Sequence, residues 1–275
     1  MKRLILAFRE AGIRFSRDGC AFLAQAIAFN ALFTLFPLAY LAITAASYVY
    51  PDSQQRVLQF VDTLAPELHD YIAQNLQTYF GGRVSTSLIA FGFLAWSGKN
   101  LFMALAYALD RALGVPKSRP LLHSFYLSIV MLPFMGALLV AAMALPILVS
   151  FVVRSTAIGD QAQVTQIFGY GISLLVVFFV MIVMYTFLPN RSVVWHFAVP
   201  GASFAALTWP LVQFLFAWYT AHVDFGRVYG ALSAPLALLL WFYLTGSIFL
   251  FGAELCAGWA HLKGTTPVAA LEDEA

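Results

Sequence analysis

The sequence predicts an all-α membrane protein with six transmembrane helices, several of them kinked by proline. Of its 275 residues, 61% are apolar and only 10% are charged, whereas about a quarter of the residues in an ordinary soluble domain are charged. The apolar residues fall in long runs, and about 20 apolar residues in helical geometry cross a bilayer. The net charge of +2 is too small to indicate a nucleic-acid-binding protein. We therefore expect membrane lipids as partners and no nucleic acid.

Residues 1–24 are predicted to form a cytoplasmic amphipathic helix, because five basic residues interrupt the apolar positions and exclude a span. Apolar side chains recur at helical spacing on one side, and charged side chains recur on the other. The apolar set is Leu4, Phe8, Ala11, Phe15 and Phe22, and the charged set is Arg3, Glu10, Arg14 and Arg17. This pattern favours a helix that rests on an anionic leaflet. The alternative is a plain cytoplasmic lead-in helix.

Six apolar runs after this helix predict the spans, at about 25–50, 85–109, 124–153, 168–188, 198–219 and 229–259. Proline interrupts the third, fifth and sixth of them, at Pro133, Pro146, Pro210 and Pro235, and should kink the helices there. Residues 51–84 are too polar to span, yet their apolar residues recur every three or four positions. They are expected to form amphipathic periplasmic helices. The acidic tail, 263–275, is expected to be disordered and cytoplasmic.

The loop charges predict the orientation of these spans. With six crossings, the segments on the amino-terminal side hold ten basic residues and those on the other side hold four. The ten are Lys2, Arg3, Arg9, Arg14, Arg17, Arg111, Lys117, Arg119, Arg191 and Lys263, and the four are Arg56, Arg83, Arg154 and Arg227. Basic loops stay in the cytoplasm, so both termini are expected to be cytoplasmic. Cys20 and Cys256 then share the reducing side, which predicts no disulfide.

The last span carries one charged residue, Glu254. Helical spacing places polar and small residues on one stripe, which is predicted to face protein, and large apolar residues on the other, which is predicted to face lipid. The first stripe is Tyr229, Ser233, Tyr243, Ser247, Glu254, Gly258 and His261, and the second is Leu238, Trp241, Ile248, Phe249 and Gly252. Because a charge in acyl chains costs a few kcal/mol, Glu254 is expected to accept hydrogen bonds from the amides after Pro200-Gly201.

Lys99 is the second charge inside a span, and it is the other candidate for a transport site. A direct pair with Glu254 is not expected, because the two residues differ in depth by roughly 18 Å. Lys99 could instead hold an anionic headgroup in a cavity, or extend its side chain to the headgroup region. The predicted polar cavity consists of Lys99, Glu254, Asn30, Tyr243 and Ser247.

Basic residues near the predicted cytoplasmic surface form a second candidate set. They are Arg111, Lys117 and Arg119 in one loop, together with Arg14 and Arg17. Such residues either anchor the chain in the usual positive-inside manner or bind a lipid phosphate.

Four short motifs appear in order along the chain. They are 28–37, AFNALFTLFP; 109–115, LDRALGV; 188–191, LPNR, followed by 200–202, PGA; and 229–232, YGAL, followed by 240–244, LWFYL, and 252–255, GAEL. Together they resemble the signature of the YihY/BrkB family of bacterial inner-membrane proteins, some of which carry the older label ribonuclease BN-like. The resemblance implies six helices with cytoplasmic termini. It implies no assigned catalytic residues, since family members are labelled as a ribonuclease, a serum-resistance factor or a lipid-linked transporter.

Two functions of different class remain open. The first is a transporter or exporter of a lipid, a lipopolysaccharide-related compound or another amphipathic or anionic solute. The second is a non-transporting scaffold of envelope biogenesis. An enzyme is not expected, because the histidines are scattered and no HxH, HxxxH, DxD or GxxxxGK[ST] pattern is present. Neither a metal nor another cofactor is expected, and ribonuclease activity is disfavoured. The composition is compatible with a monomer or a homo-oligomer.

Overall fold

The computed structural model describes residues 2–49, 83–115, 162–191, 193–223 and 229–265. Within these ranges the chain forms six α-helices and one short 3₁₀ turn, so the all-α class is confirmed. The helices are α1, Lys2–Arg17; α2, Cys20–Val49; α3, Arg83–Leu113; α4, Ala162–Phe187; α5, Trp195–His222; and α6, Ser233–Leu262, with the 3₁₀ turn Gly230–Leu232 before α6. The predictions for 51–82, for the third span at 124–153 and for 266–275 lie outside the described residues.

Four helical segments are long and apolar enough to cross a membrane. They are Cys20–Leu41, Leu88–Leu113, Trp195–His222 and Ser233–Leu262, and a shorter apolar segment, Leu174–Phe187, lies in α4. These segments coincide with the predicted first, second, fifth, sixth and fourth spans. Large apolar side chains remain exposed along them, including Leu88 and Ile89 on α3 and Leu207, Leu211 and Phe214 on α5. Such a surface suits lipid rather than water, so the chain is a membrane protein with several apolar helices.

The predicted helix at 1–24 is wrong in extent, because a turn at Asp18-Gly19 divides it. The Asp18 amide donates to the Arg14 carbonyl, and Gly19 adopts a φ of 70°. Glycine occupies this left-handed region at little cost and commonly ends helices. Phe22, predicted to lie on the apolar face of the first helix, therefore belongs to α2 and is exposed.

Helix α6 is the central helix of the bundle. It packs against α1, α2, α3 and α5, and Tyr185 of α4 stacks on its Phe249. From Gly246 to Ala260 most of its residues are buried, including Ile248 and Gly252. The prediction that this stripe faces lipid is therefore wrong in the second half of α6. A central helix has protein on every side, and its small residues, rather than its apolar stripe, mark the contacts.

Glycines allow α6 to approach its neighbours closely. A Cβ atom on Gly201 of α5 would overlap the Gly252 carbonyl oxygen and the Cys256 sulfur of α6. A Cβ on Gly246 would lie 3.5 Å from the backbone of Ala24 in α2. In a membrane, where lipid is as apolar as the protein interior, such close packing drives helix association.

Proline has less effect on α6 than predicted. Pro235 lies in the first turn of this helix, where backbone amides have no intrahelical partner, so it breaks no hydrogen bond. Helix α6 runs without interruption from Ser233 to Leu262, and the predicted break is wrong. Pro37 lies inside α2, and Pro200 and Pro210 lie inside α5. A kink at Pro210 stays a prediction.

Candidate functional site

Five of the helix ends and α1 meet at one end of the bundle, which we call the Arg14 end. Three long-range contacts define it. They are Arg14 to Ala112 at the end of α3, Asp110 to Asn190 just after α4, and Cys256 near the end of α6 to Ala198 in the first turn of α5. Helix α2 begins at the same place, because Cys20 contacts Glu254 of α6.

Glu254 is the charged group at the centre of this end, and its side chain is 0% exposed. The Arg14 side chain, 14% exposed, donates from Nε to Glu254 Oε2 over 2.9 Å. The thiol of Cys20 donates to Oε1 over 3.3 Å. Both carboxylate oxygens thus accept a hydrogen bond. A buried carboxylate is tolerated only when it is paired in this way, because an unpaired one loses its hydration without compensation.

Arg14 also caps α3. Its Nη2 donates to the carbonyl of Ala112 over 3.1 Å. Helix α3 ends with Gly114 at a φ of 68°, and the amides of Gly114 and Val115 bond back to Arg111 and Asp110. These two bonds satisfy the carbonyls of Arg111 and Asp110, and the carbonyl of Ala112 accepts its hydrogen bond from Arg14. A positive group is favourable there because the carboxyl end of a helix carries partial negative charge. One guanidinium therefore joins α1, α3 and α6.

These contacts correct two predictions. Glu254 was expected beside the amides after Pro200-Gly201, and the structure instead places it beside Arg14 and Cys20. The residue that faces the start of α5 is Cys256, whose thiol lies 3.7 Å from the Ala198 carbonyl. Side chains two residues apart on a helix point about 200° away from each other, so residues 254 and 256 lie on nearly opposite sides of α6. Arg14 was expected as a lipid anchor, but its guanidinium is used inside the protein.

Asp110 forms a second polar link at the same end. The backbone amide of Asn190 donates to Asp110 Oδ1 over 2.8 Å, and the Asn190 side-chain amide donates to Oδ2. Asp110 is buried, so these bonds fix the turn after α4 against the end of α3. The pairing of Asp110 with Asn190 was not predicted, although both residues lie in the motifs that carry the family resemblance. Three of the four motifs meet at the Arg14 end, and the first, in α2, does not contribute to these contacts.

Two members of the predicted polar cavity bond within their own helices. Asn30 Nδ2 donates to the Ala26 carbonyl over 2.8 Å, and Ser247 Oγ donates to the Tyr243 carbonyl over 2.8 Å. Such local bonds satisfy polar groups inside a membrane helix without a partner from another helix.

Lys99, Asn30 and Tyr243 lie at a common depth. Each is ten or eleven residues along its helix from the residue that contributes to the Arg14 end, which corresponds to about 15 Å. Half of the hydrocarbon thickness of a bilayer is also about 15 Å. Lys99, Asn30 and Tyr243 are half-buried. Glu254 does not share their level, and Ser247 lies between Tyr243 and Glu254 on α6, so the five predicted residues do not form one cluster.

Two of the remaining basic candidates, Arg17 and Arg111, lie at the surface of the Arg14 end. The Arg17 side chain is 63% exposed and pairs with Asp18 over 3.2 Å. The hydrogen bonds and the charge of Asp18 raise the pKa of Arg17 above its ordinary value. Arg111 is exposed at the end of α3. Lys117 and Arg119 lie outside the described residues. Binding of a lipid phosphate by Arg17 and Arg111 stays a prediction.

Neither cysteine in the described ranges is oxidised, and both are buried thiols on different sides of α6. In the part of the chain that the structure describes, no group of three or more His, Cys, Asp or Glu side chains could hold a metal ion. The described polar groups around Glu254 form an ion pair with Arg14 and a hydrogen bond with Cys20.

Comparison with known proteins gives consistent similarities. A family model described as "Virulence factor BrkB" matches residues 12–273. The "Putative ribonuclease-like protein YfkH" of Bacillus subtilis (strain 168) is 27% identical over 84% of this chain and 86% of its own length. The "UPF0761 membrane protein PSHAa0171" of Pseudoalteromonas translucida (strain TAC 125) is 30% identical over 84% of this chain and 78% of its own length. The "UPF0761 membrane protein Nmul_A0452" of Nitrosospira multiformis (strain ATCC 25196 / NCIMB 11849 / C 71) is 27% identical over 89% of this chain but only 58% of its own length. No solved structure matches.

Proposed function

The chain belongs to the virulence factor BrkB family of membrane proteins, and on that premise we propose that it transports or exports an amphipathic or anionic solute, a lipid or lipopolysaccharide-related compound foremost. The observation that carries the proposal is the position of Lys99. A lysine at the centre of a membrane helix costs about 2.5–3.5 kcal/mol in insertion measurements. Membrane proteins retain such a residue where it binds a substrate, an ion or a counter-charge, and Lys99 lies level with Asn30 and Tyr243.

The gradient of packing along α6 supports a path that reaches Lys99 from the end opposite Arg14. Most residues between Gly246 and Ala260 are buried, whereas those between Ala234 and Thr245 are half-buried or exposed. The bundle is thus closed at the Arg14 end and less tightly packed around the first half of α6. An anionic headgroup that entered from the looser end would meet the Lys99 ammonium about halfway across.

We propose six crossings with the Arg14 end in the cytoplasm. The Asp110–Asn190 bonds show that α3 and α4 end on the same side. Both α3 and α4 run toward the Arg14 end. The chain between them must therefore return to the opposite side, which takes an odd number of crossings, and the predicted third span supplies one. The excess of lysine and arginine at the Arg14 end supports its cytoplasmic placement under the positive-inside rule.

A membrane scaffold without transport activity is the second candidate. It is favoured by the solid packing of the Arg14 end, where small residues and polar bonds fill the space between helices. It is also compatible with homo-oligomers, through the exposed apolar face of α5. Ribonuclease activity is named only for a relative, and we propose no enzymatic function.

The decisive experiment compares envelope lipids and exported metabolites in a deletion strain that carries different alleles. Wild type should restore the profile, Lys99→Ala should not, and Lys99→Arg should restore part of it because the positive charge is kept. Lys263→Ala, which removes an exposed lysine at the Arg14 end, is the matched control and should behave as wild type. Equal membrane abundance of all variants must be shown by immunoblot. If deletion changes no compound, the transport proposal is wrong.

A reconstituted assay separates the two candidates directly. Purified protein in liposomes should accelerate the movement of a fluorescent anionic phospholipid between leaflets, and it should do so less for a zwitterionic one. Lys99→Ala should lower the anionic rate at least about tenfold, which corresponds to the loss of one charge-assisted contact. Movement equal to that in protein-free liposomes for both lipids would favour the scaffold.

A further inference from the structure

Helix α1 is held to the bundle by a small cluster of its own. Ala7 and Ala11 are buried against Leu255 of α6, and this cluster is separate from the main core. Phe8 and Phe15 add ring contacts, with Phe15 at 5.9 Å from the Phe251 ring. Phe15 is the α1 side chain, among those the structure describes, that packs against the main core, so α1 shares little of that core and can move with limited disturbance of the other helices.

The connection between α1 and α2 has the geometry of a hinge. It consists of Asp18 and Gly19, and a Cβ at Gly19 would meet no atom within 4 Å. Local hydrogen bonds set the conformation of Gly19, whose amide donates to Ser16 and whose carbonyl accepts from Phe22 and Leu23, and no other helix packs at the position of its missing side chain. Hinges in proteins are commonly a few residues at the end of an element, where changes of φ and ψ cost little.

The closed position of α1 depends on Arg14. Its guanidinium contacts the carboxylate of Glu254 and the last turn of α3, so it is the one polar side chain of α1 inserted among the described helices. Glu10 also reaches α6, at 3.1 Å from His261, but the His261 side chain is 71% exposed. Such an exposed pair contributes little, whereas removal of one partner of a buried ion pair is costly, because it leaves the other charge buried and unpaired. Movement of α1 would uncover Glu254 and Cys20 together.

We propose that α1 is a hinged latch that closes the Arg14 end of the transport path, with the Arg14–Glu254 ion pair as the contact that holds it closed. The inference rests on the proposed transport function and names how access at that end is controlled. In the closed state Glu254 is sealed from water, and in the open state both charges are hydrated. An anionic solute released toward the Arg14 end would pass where α1 had been.

Cys20 supplies a native reporter of opening, because its buried thiol lies beneath α1. In a Cys256→Ala background, reaction of Cys20 with a water-soluble maleimide is followed in lipid nanodiscs. Arg14→Gln should raise the rate at least about tenfold, since it removes a buried ion pair. Loss of the positive charge makes a thiol less acidic, so thiol chemistry alone would lower the rate. Arg9→Gln, which changes an exposed arginine of the same helix, should leave the rate within twofold.

General unfolding is distinguished by the second cysteine. In a Cys20→Ser background, Cys256 reports the main core, where it packs beside Gly201. Arg14→Gln should leave its labelling slow. Equal acceleration of Cys20 and Cys256 would mean that Arg14 only stabilises the fold, and no acceleration at Cys20 would mean that α1 stays closed without it. Either result overturns the proposal.

Locking α1 tests the link to transport. A Cβ at Gly258 would lie 3.9 Å from the Glu10 Cβ, which suits a disulfide between Glu10→Cys and Gly258→Cys in the Cys20→Ser, Cys256→Ala background. Oxidation should lower lipid movement in liposomes at least about tenfold, and reductant should restore it. Unchanged movement after complete oxidation would refute the latch. If the reduced and wild-type proteins move no lipid, the transport function fails, and the Cys20 labelling result still decides whether α1 opens.

Discussion

Replacement of Gly201 by alanine tests how closely α5 and α6 approach each other. The added methyl group would overlap the Gly252 carbonyl oxygen and the Cys256 sulfur, and it would lie 2.9 Å from the Gly252 carbonyl carbon. Two of these atoms belong to the backbone of α6, so a change of rotamer cannot relieve the clash. Helix α5 would have to move away by about 1 Å, which would also weaken the contact from Cys256 to Ala198.

The expected cost follows from two opposing effects. Overpacking of a tightly packed contact destabilises a protein by about 1–3 kcal/mol. Alanine favours a helix over glycine by up to about 1 kcal/mol, which offsets part of this loss. A net loss of about 1–2 kcal/mol remains, and for a chain of this size it should lower the thermal unfolding midpoint by about 3–8 °C.

Thermal unfolding of the purified protein in detergent micelles, followed by tryptophan fluorescence, measures this shift. Gly92→Ala is the matched control, because a Cβ at Gly92 in α3 would meet no atom within 4 Å. That variant should be as stable as wild type or slightly more stable. A Gly201→Ala variant that unfolds at or above the wild-type midpoint would show that α5 and α6 do not pack as the structure has them.

Substitutions at three further positions test other contacts by the same measurement. Tyr185→Phe removes the 2.8 Å hydrogen bond from the Tyr185 hydroxyl to the Phe249 carbonyl. It should lower the free energy of unfolding by about 1 kcal/mol and the midpoint by about 2–4 °C, and an unchanged midpoint would contradict the bond. Asp110→Ala leaves the backbone and side-chain amides of Asn190 without their acceptor and should lower the free energy of unfolding by about 1–3 kcal/mol. Asp110→Asn keeps one acceptor and should lower it less, and the reverse order would refute the pairing. Gly114→Ala forces a side chain into a φ of 68° and should cost about 1 kcal/mol, and a gain in stability would exclude that conformation.

Composition and periodicity were sufficient to place the helices. Apolar runs predicted the spans near Cys20–Leu41, Leu88–Leu113, Trp195–His222 and Ser233–Leu262, because backbone in lipid has few alternatives to the helix. Helix ends were less predictable. The predicted first helix continued through Asp18-Gly19, because the apolar pattern persists there while the backbone turns.

The tertiary structure alone decided the partners of the charged residues. Arg14 and Glu254 are 240 residues apart, and no local pattern connects them. Arg14 carried the periodicity of a surface residue on an amphipathic helix, and that periodicity cannot distinguish lipid headgroups from a buried carboxylate. The pairing arises because α1 packs on α6 and places the Arg14 guanidinium beside the Glu254 carboxylate. That carboxylate is buried without water and therefore needs a positively charged partner.

The sequence by itself determined that this chain enters a membrane, and it determined where the helices lie and which few charges needed partners. The arrangement of the helices decided which side of α6 is buried. Phe249 looks lipid-facing by hydrophobicity, yet Tyr185 of α4 stacks on it, and Ile248 beside it is buried as well. Hydrophobicity separates residues that face water from those that do not, and in a bilayer the lipid and the protein interior are both apolar. Only the packing of small residues such as Gly201 against Gly252 distinguishes the two, and that packing is a property of the folded bundle.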